Sequence, residues 1–317
     1  MTRFIALRLV EIAAVLALMS FVIYGLIGLM PGDPIDLMRG VDPHVSSADV
    51  VRLKALYGVG QPLFERYLAW ARQALAGNLG YSRLFAEPVL TALLPRLLNS
   101  LALMGSSFVL AFGIALGLGI AAARRPGSVF DRAVNLFCFA GVSVPTFWLA
   151  LVLILVFAAG LGWFPASGIA TPGNGGLDDR LQHLALPVLT LTLTTVGSYT
   201  RYIRASMREA LAQDHIRTAR AKGASERRVV WHHALRSALV PVATVLALSF
   251  GGLVSGALVT ETMFAYPGMG KLIFDAVMGN DYNLALAALL LATATTLAGN
   301  FAADLAYAWL DPRVSYQ

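Results

Sequence analysis

Gln213-Asp-His-Ile-Arg-Thr-Ala-Arg-Ala-Lys-Gly223, running on to Leu239-Val-Pro241, is a short basic stretch with small residues, closed by a glycine. Long apolar segments stand on both sides of it. Asp214 is expected to cap a helix from His215 to Lys222, and Gly223 to stop it in the left-handed conformation. A helix that short is marginal by itself, so it must gain stability by packing. Ile216 and Ala219, one turn apart, would enter a groove of a second protein, with Arg217, Arg220 and Lys222 meeting its acidic or polar rim.

The flanks fix the class of the chain. Of 317 residues, 57% are hydrophobic and 13% are charged, where a soluble domain carries roughly a quarter charged. Apolar runs near 12–30, 97–123, 133–157, 184–200, 237–260 and 282–303 approach the ~20 residues needed to cross a hydrocarbon core of ~30 Å. The run at 184–200 is short, and Tyr199 and Tyr202 extend it into the interface. We expect an all-α integral membrane protein with six transmembrane helices. Its expected divisions are a first helix at 1–30, an extracytoplasmic loop domain at 31–96, and a five-helix core at 97–317 carrying a cytoplasmic loop at 201–236.

The net charge of +6 could suggest nucleic acid, but its distribution indicates topology. Arg3, Arg8, Arg124, Arg125 and Arg132 border the first three spans. Arg201, Arg204, Arg208, Arg217, Arg220, Lys222, Arg227, Arg228 and Arg236 lie between the fourth and fifth. These are alternate loops, so the positive-inside rule puts them and both termini in the cytoplasm. The long first loop holds seven basic residues, but long loops carry little weight in that rule. The run after Arg8 is too long for a signal-peptide core and Leu29-Met-Pro-Gly-Asp33 lacks a small-x-small site, so a retained helix is expected. Cys138 is the single cysteine, which excludes an internal disulfide and suits a small buried apolar residue.

Within the first loop, Pro62 suits a first helical position. Leu63, Phe64, Tyr67, Leu68, Ala71 and Leu75 then recur at helical spacing, with Gly77 as the stop. This amphipathic helix is expected on the outer membrane surface or packed on the spans. Pro145 should kink the third span. Gly113, Gly117 and Gly119, and also Gly251, Gly252, Ser255 and Gly256, make small-residue faces that allow close helix approach. Packing within the subunit and a pore or partner contact both remain open for them.

Several chemistries are missing. The nearest approach to a P-loop is Gly270-Lys271-Leu272, which lacks the hydroxyl residue that binds magnesium. The chain therefore has no nucleotide site of its own. His232 and His233 are adjacent, point to different sides of a helix and cannot easily share a metal ion. Asp178-Asp179 lacks a second acidic cluster. An ion-coupled carrier would place ionisable groups near the bilayer centre, whereas Glu11, Glu261, Asp281 and Asp304 lie near span ends. No pair of broken helices repeats between the halves.

Arg217-Thr-Ala-Arg-Ala-Lys-Gly223 resembles the coupling loop of the dipeptide/oligopeptide/nickel family of ATP-binding-cassette importers, a variant of the motif Glu-Ala-Ala-x-x-x-Gly. Arg217, Thr218 and Ala219 fill its first three positions, Gly223 keeps the glycine, and the Leu-x-Pro element stands late, as in the peptide branch. Gly32-Asp-Pro34, Gly60-Gln-Pro-Leu63, Gly77-Asn-Leu-Gly80, Thr262-Met-Phe-Ala-Tyr-Pro-Gly-Met-Gly270, Asn280-Asp-Tyr282 and Leu310-Asp-Pro-Arg313 extend the resemblance along the chain. It implies an inner-membrane permease subunit acting with a second permease, two ATPases that carry ATP and Mg2+, and an extracytoplasmic solute-binding protein. The ATPase-coupling residues would be Asp214, Ile216, Arg217, Thr218, Ala219, Arg220, Lys222 and Gly223. Peptides are the first choice of cargo, with nickel chelates or another small solute open. No substrate-binding residue is identified.

Overall fold

The computed structural model describes residues 2–29, 62–251 and 257–310. Gly32-Asp-Pro34, Gly60, Gln61, Gly252, Ser255, Gly256, Asp311-Pro-Arg313 and both terminal residues lie outside the described residues. The chain divides into two compact units, Met1–Leu98 with Met269–Thr295, and Asn99–Gly268 with Thr296–Gln317.

In the first unit, α1 (Thr2–Gly28) is followed by α2 (Leu63–Leu75), a two-stranded hairpin of β1 (Tyr81–Ser82) and β2 (Glu87–Pro88), and the start of α3 (Val89–Arg124). It also holds α11 (Met269–Met278) and the first half of α12 (Tyr282–Leu310). Helix α2 packs on α1: the Ser20 and Tyr67 hydroxyls meet at 2.7 Å, and Phe21 touches Phe64 and Tyr67 edge to face. Pro62 sits one position earlier than expected, at the N-cap. Gly77 ends α2 at φ +85°, with the Asn78 amide donating to the Gln73 carbonyl at 2.9 Å, a left-handed cap.

Two of the sequence landmarks meet here. Asp281 caps α12, accepting from the Leu284 amide at 3.2 Å. It also accepts from the Ser82 hydroxyl at 2.7 Å and the Leu84 amide at 3.0 Å. A side chain on Gly80 would reach Asn283 at 2.9 Å. The glycine thus lets the hairpin lie directly on the start of α12. Beneath it, Ile23, Ile27, Leu93, Met269, Leu272 and Leu284 form an apolar core.

The second unit contains the rest of α3, α4 (Val129–Ser143), α5 (Thr146–Leu153) with a π-helical turn at Ile154–Gly160, and the 36-residue α6 (Leu177–Ala212). There follow α7 (Asp214–Ala221), α8 (Glu226–Arg228) with a π-helical turn at Val229–Ala234, α9 (Leu235–Gly251) and α10 (Leu258–Met263). Pro145 does more than kink a span. The two helical segments around it, Val129–Ser143 and Thr146–Gly160, are bent by 101°. Proline has no amide to continue α4, and it drives Val144 to an extended ψ of 125°.

Helices α4 and α6 pack at backbone distance. A side-chain carbon on Gly197 would lie 2.6 Å from the Cys138 carbonyl oxygen, and one on Gly141 would lie 2.9 Å from that of Leu193. Cys138 is buried in this seam. Of the α3 glycines, Gly119 abuts Ile203 of α6, while Gly113 and Gly117 face open space.

Among the described residues, three helical stretches are long and apolar enough to cross a membrane: Ile5–Gly28, Val89–Arg124 and Tyr282–Ala302. The bent α4–α5 pair makes a fourth if it is one span. The fold is thus mostly helical and multi-span. Helix α6 is not among these stretches, and the described part of α9 is 17 residues long.

Candidate coupling site

The end of α6 and the α8–α9 arm form an antiparallel pair, with α7 joining their tips. Met207 and Ala210 of α6 pack with Val229, Val230, Ala234 and Ala238 of the returning arm. The Ser206 hydroxyl donates to the Ala238 carbonyl at 2.7 Å. Extended backbone at Gln213, ψ 152°, turns the chain sharply out of α6.

Gln213, not Asp214, occupies the N-cap of α7, and its side chain makes no capping bond. Asp214 lies one position inside the helix, where its charge suits the amino end, and is 3.4 Å from Arg217. At the other end Lys222 is the C-cap and Gly223 takes φ +81°, as its place in the stretch predicts. The Gly223 amide donates to the Arg220 carbonyl at 2.9 Å and the Ala224 amide to the Ala219 carbonyl at 3.1 Å. This pair of bonds is the Schellman arrangement, and the flanking Ala219 and Ala224 both pack on the core beneath.

Ile216 corrects the sequence reading. Expected to enter a partner's groove, it is fully buried in the chain's own core, among Met207, Ala210, Val229 and Val230. The physical reason is the hairpin itself: its tip offers an apolar hollow beneath α7, and a one-face amphipathic helix fills that first. Ala219 is half-buried on the same side. Asp214, His215, Arg217, Thr218, Arg220 and Lys222 are exposed.

Arg220 is exposed and also has a partner within the chain. Its guanidinium donates to both Glu226 carboxylate oxygens, at 2.8 and 3.4 Å. The bond from Arg220 holds the Glu226 carboxyl below its ordinary range, with the charges of Arg220 and Arg124 adding to the effect. This brace spans the Gly223 turn, and Ser225 caps the next helix by accepting from the Arg228 amide.

Sequence reasoning missed a second pair beside the site. Arg204 of α6 donates to Asp131 at the start of α4, at 2.5 and 2.7 Å. Asp131 also accepts from the Gly127 amide at 2.9 Å, and Ser128 accepts from the Asp131 amide. Ser128-x-x-Asp131 is a readable helix start, but no pattern in the sequence joins it to a residue 73 positions away. The His232 and His233 rings, expected on different sides, meet edge to face with centres 5.2 Å apart. Among the described residues no group of three His, Cys, Asp or Glu side chains gathers to hold a metal. Gly251 ends α9.

The described residues thus form a multi-span helical chain with a basic helix at the tip of a helical hairpin. Residues 113–316 match the family described as binding-protein-dependent transport system inner membrane component, and the chain belongs to that family. It is 38% identical to the oligopeptide transport system permease protein AppB of Bacillus subtilis, over 95% of this chain and 94% of that one. It is 36% identical to the di/tripeptide transport system permease protein DppB of Pseudomonas aeruginosa, over the whole of both chains. Identity to the glutathione transport system permease protein GsiC of Escherichia coli is 34%, again over both whole chains. The protein is an ABC-importer permease subunit and a multi-pass inner-membrane protein, and subunits of this family are not themselves enzymes.

Proposed function

We propose that this chain is one of two transmembrane subunits of a bacterial ATP-driven importer of dipeptides or oligopeptides. A second, homologous permease completes the translocation path, two ATPase subunits supply ATP and Mg2+ chemistry, and an extracytoplasmic protein delivers the solute. The observation that carries the reading is α7: an exposed basic helix whose apolar side is already filled from within, braced by Arg220–Glu226 and closed by Gly223. Such an element presents a pre-shaped polar face, Asp214 to Lys222, to a partner. The relatives' names support peptide cargo.

Six spans, with both termini and α7 cytoplasmic, complete the proposal. Cysteines placed at Ser225 and Gly173 in a Cys138→Ala background are expected to react from opposite sides of the membrane. Labelling of the Ser225 position by an impermeant reagent in intact cells would refute this orientation.

Energy supply provides the functional test. The purified chain in liposomes is expected neither to hydrolyse ATP nor to accumulate peptide under a proton gradient, because its sequence offers neither a P-loop nor an ionisable coupling residue near the centre of an apolar run. Gradient-driven uptake by this chain alone would replace the importer reading with that of an autonomous carrier.

A further inference from the structure

At the α7-proximal end of the α4–α6 seam, the Arg201 guanidinium lies over the Phe139 ring, 4.8 Å from its centre. Both residues are exposed. Arg201 follows directly on the apolar stretch that ends at Thr200, and the exposed Tyr202 beside it is an amphipathic ring of the kind found at membrane interfaces. On α4, Arg132 lies seven residues before Phe139, on the same side of the helix, with the exposed Leu136 between them.

Charge on this face is unbalanced. Asp131 is taken up by Arg204 and by the Gly127 amide. Arg208, one turn beyond Arg204, is exposed and near enough to act on the Asp131 charge. Glu209, the next residue, is exposed and stands about 100° further around the helix. Arg132, Arg201 and Arg208 therefore form a cationic rim above exposed aromatic and aliphatic side chains.

We propose that this face binds the headgroup phosphate of an anionic phospholipid in the leaflet nearest α7. The placement rests on the proposed orientation of the chain. A guanidinium stacked on an aromatic ring keeps its N–H edge free for a phosphate, which it meets with two parallel hydrogen bonds. Its contact with Phe139 fixes that edge at the level where the apolar surface ends. The acyl chains then cover Leu136 and Phe139, which are 72% and 55% exposed in the chain.

The test uses the full chain reconstituted in mixed phosphatidylglycerol and phosphatidylcholine nanodiscs, extracted gently and read by native mass spectrometry. Phosphatidylglycerol is expected to be retained in preference to phosphatidylcholine, and Arg132→Gln with Arg201→Gln to lower that preference by about fivefold per charge. Arg201→Lys, which keeps the charge but cannot offer the planar fork, is expected to fall between. Raising the salt should erode the preference in the unaltered chain. Equal retention of the two lipids, or unchanged retention in the double variant, overturns the proposal. So does loss of the retained lipid when the partner permease is present, which would assign the face to protein. If the double variant aggregates, the lipid comparison and salt series on the unaltered chain decide alone. Impermeant labelling at position 225 tests orientation independently, so the two failures are distinguishable.

Discussion

Gly223→Val is expected to remove most substrate-stimulated ATP hydrolysis from the assembled importer while the permease still reaches normal abundance in the membrane. Nothing lies within 4 Å of a side-chain carbon built on Gly223, so the substitution clashes with no neighbour. Its cost is in the backbone: φ is +81°, a region that costs a side chain about 1–2 kcal/mol, more for a β-branched residue. Escape from that strain breaks the Ala224–Ala219 bond and shifts the Arg220–Glu226 brace. If the strain falls on the docked geometry, about 1.4 kcal/mol is already tenfold in assembly. Gly223→Asn, which tolerates the left-handed region, should be mild. Thr218→Trp on the exposed face should weaken ATPase recovery with no effect on insertion. Normal ATPase recovery and normal stimulated hydrolysis in both Gly223→Val and Thr218→Trp would show that α7 is not the docking element.

Asp131→Ala should destabilise the permease more than any surface charge change. Asp131 and Arg204 side chains are 4% and 18% exposed, and removing one partner of such a buried pair costs about 3–5 kcal/mol. The Gly127 amide would lose its acceptor as well. Replacing both residues with leucine should recover much of the loss, because no uncompensated charge remains. The measurement is the apparent melting temperature of the purified chain in detergent, followed by size-exclusion. An Asp131→Ala midpoint equal to that of the unaltered chain would mean the pair contributes nothing to the α4–α6 join.

The parts of this fold that were legible are those governed by local rules. The α2 face and its Gly77 stop, the left-handed Gly223, and the apolar α1, α3 and α12 all follow from spacing, caps and run length. The 101° break was half legible: proline forbids continuation, but the angle depends on how α5 packs after it. Ile216 was misread because its partner core is assembled from residues of α6 and the α8 arm that only the hairpin brings together. Asp131–Arg204 was invisible for the same reason. A basic run reads as topology, and nothing in it distinguishes the one arginine that turns inward. Gly80 and Asp281 were noticed as landmarks, yet their reason, the seating of the hairpin on α12, needed coordinates.

The length of α6 carries a mechanical consequence. At 36 residues and ~1.5 Å per residue it is about 54 Å long, well beyond a hydrocarbon core of ~30 Å. From Thr200 to Ala212 it projects about 18 Å past the end of its apolar stretch. On the proposed orientation it would act as a lever with α7 at its tip, braced by the Gly197 contact with α4. Tilting such a rod by about 5° around its far end swings the tip by about 5 Å, nearly one helical pitch. If the proposed ATPase docks at α7, a displacement large enough for it to impose or sense would correspond to a small change in the angle of α6.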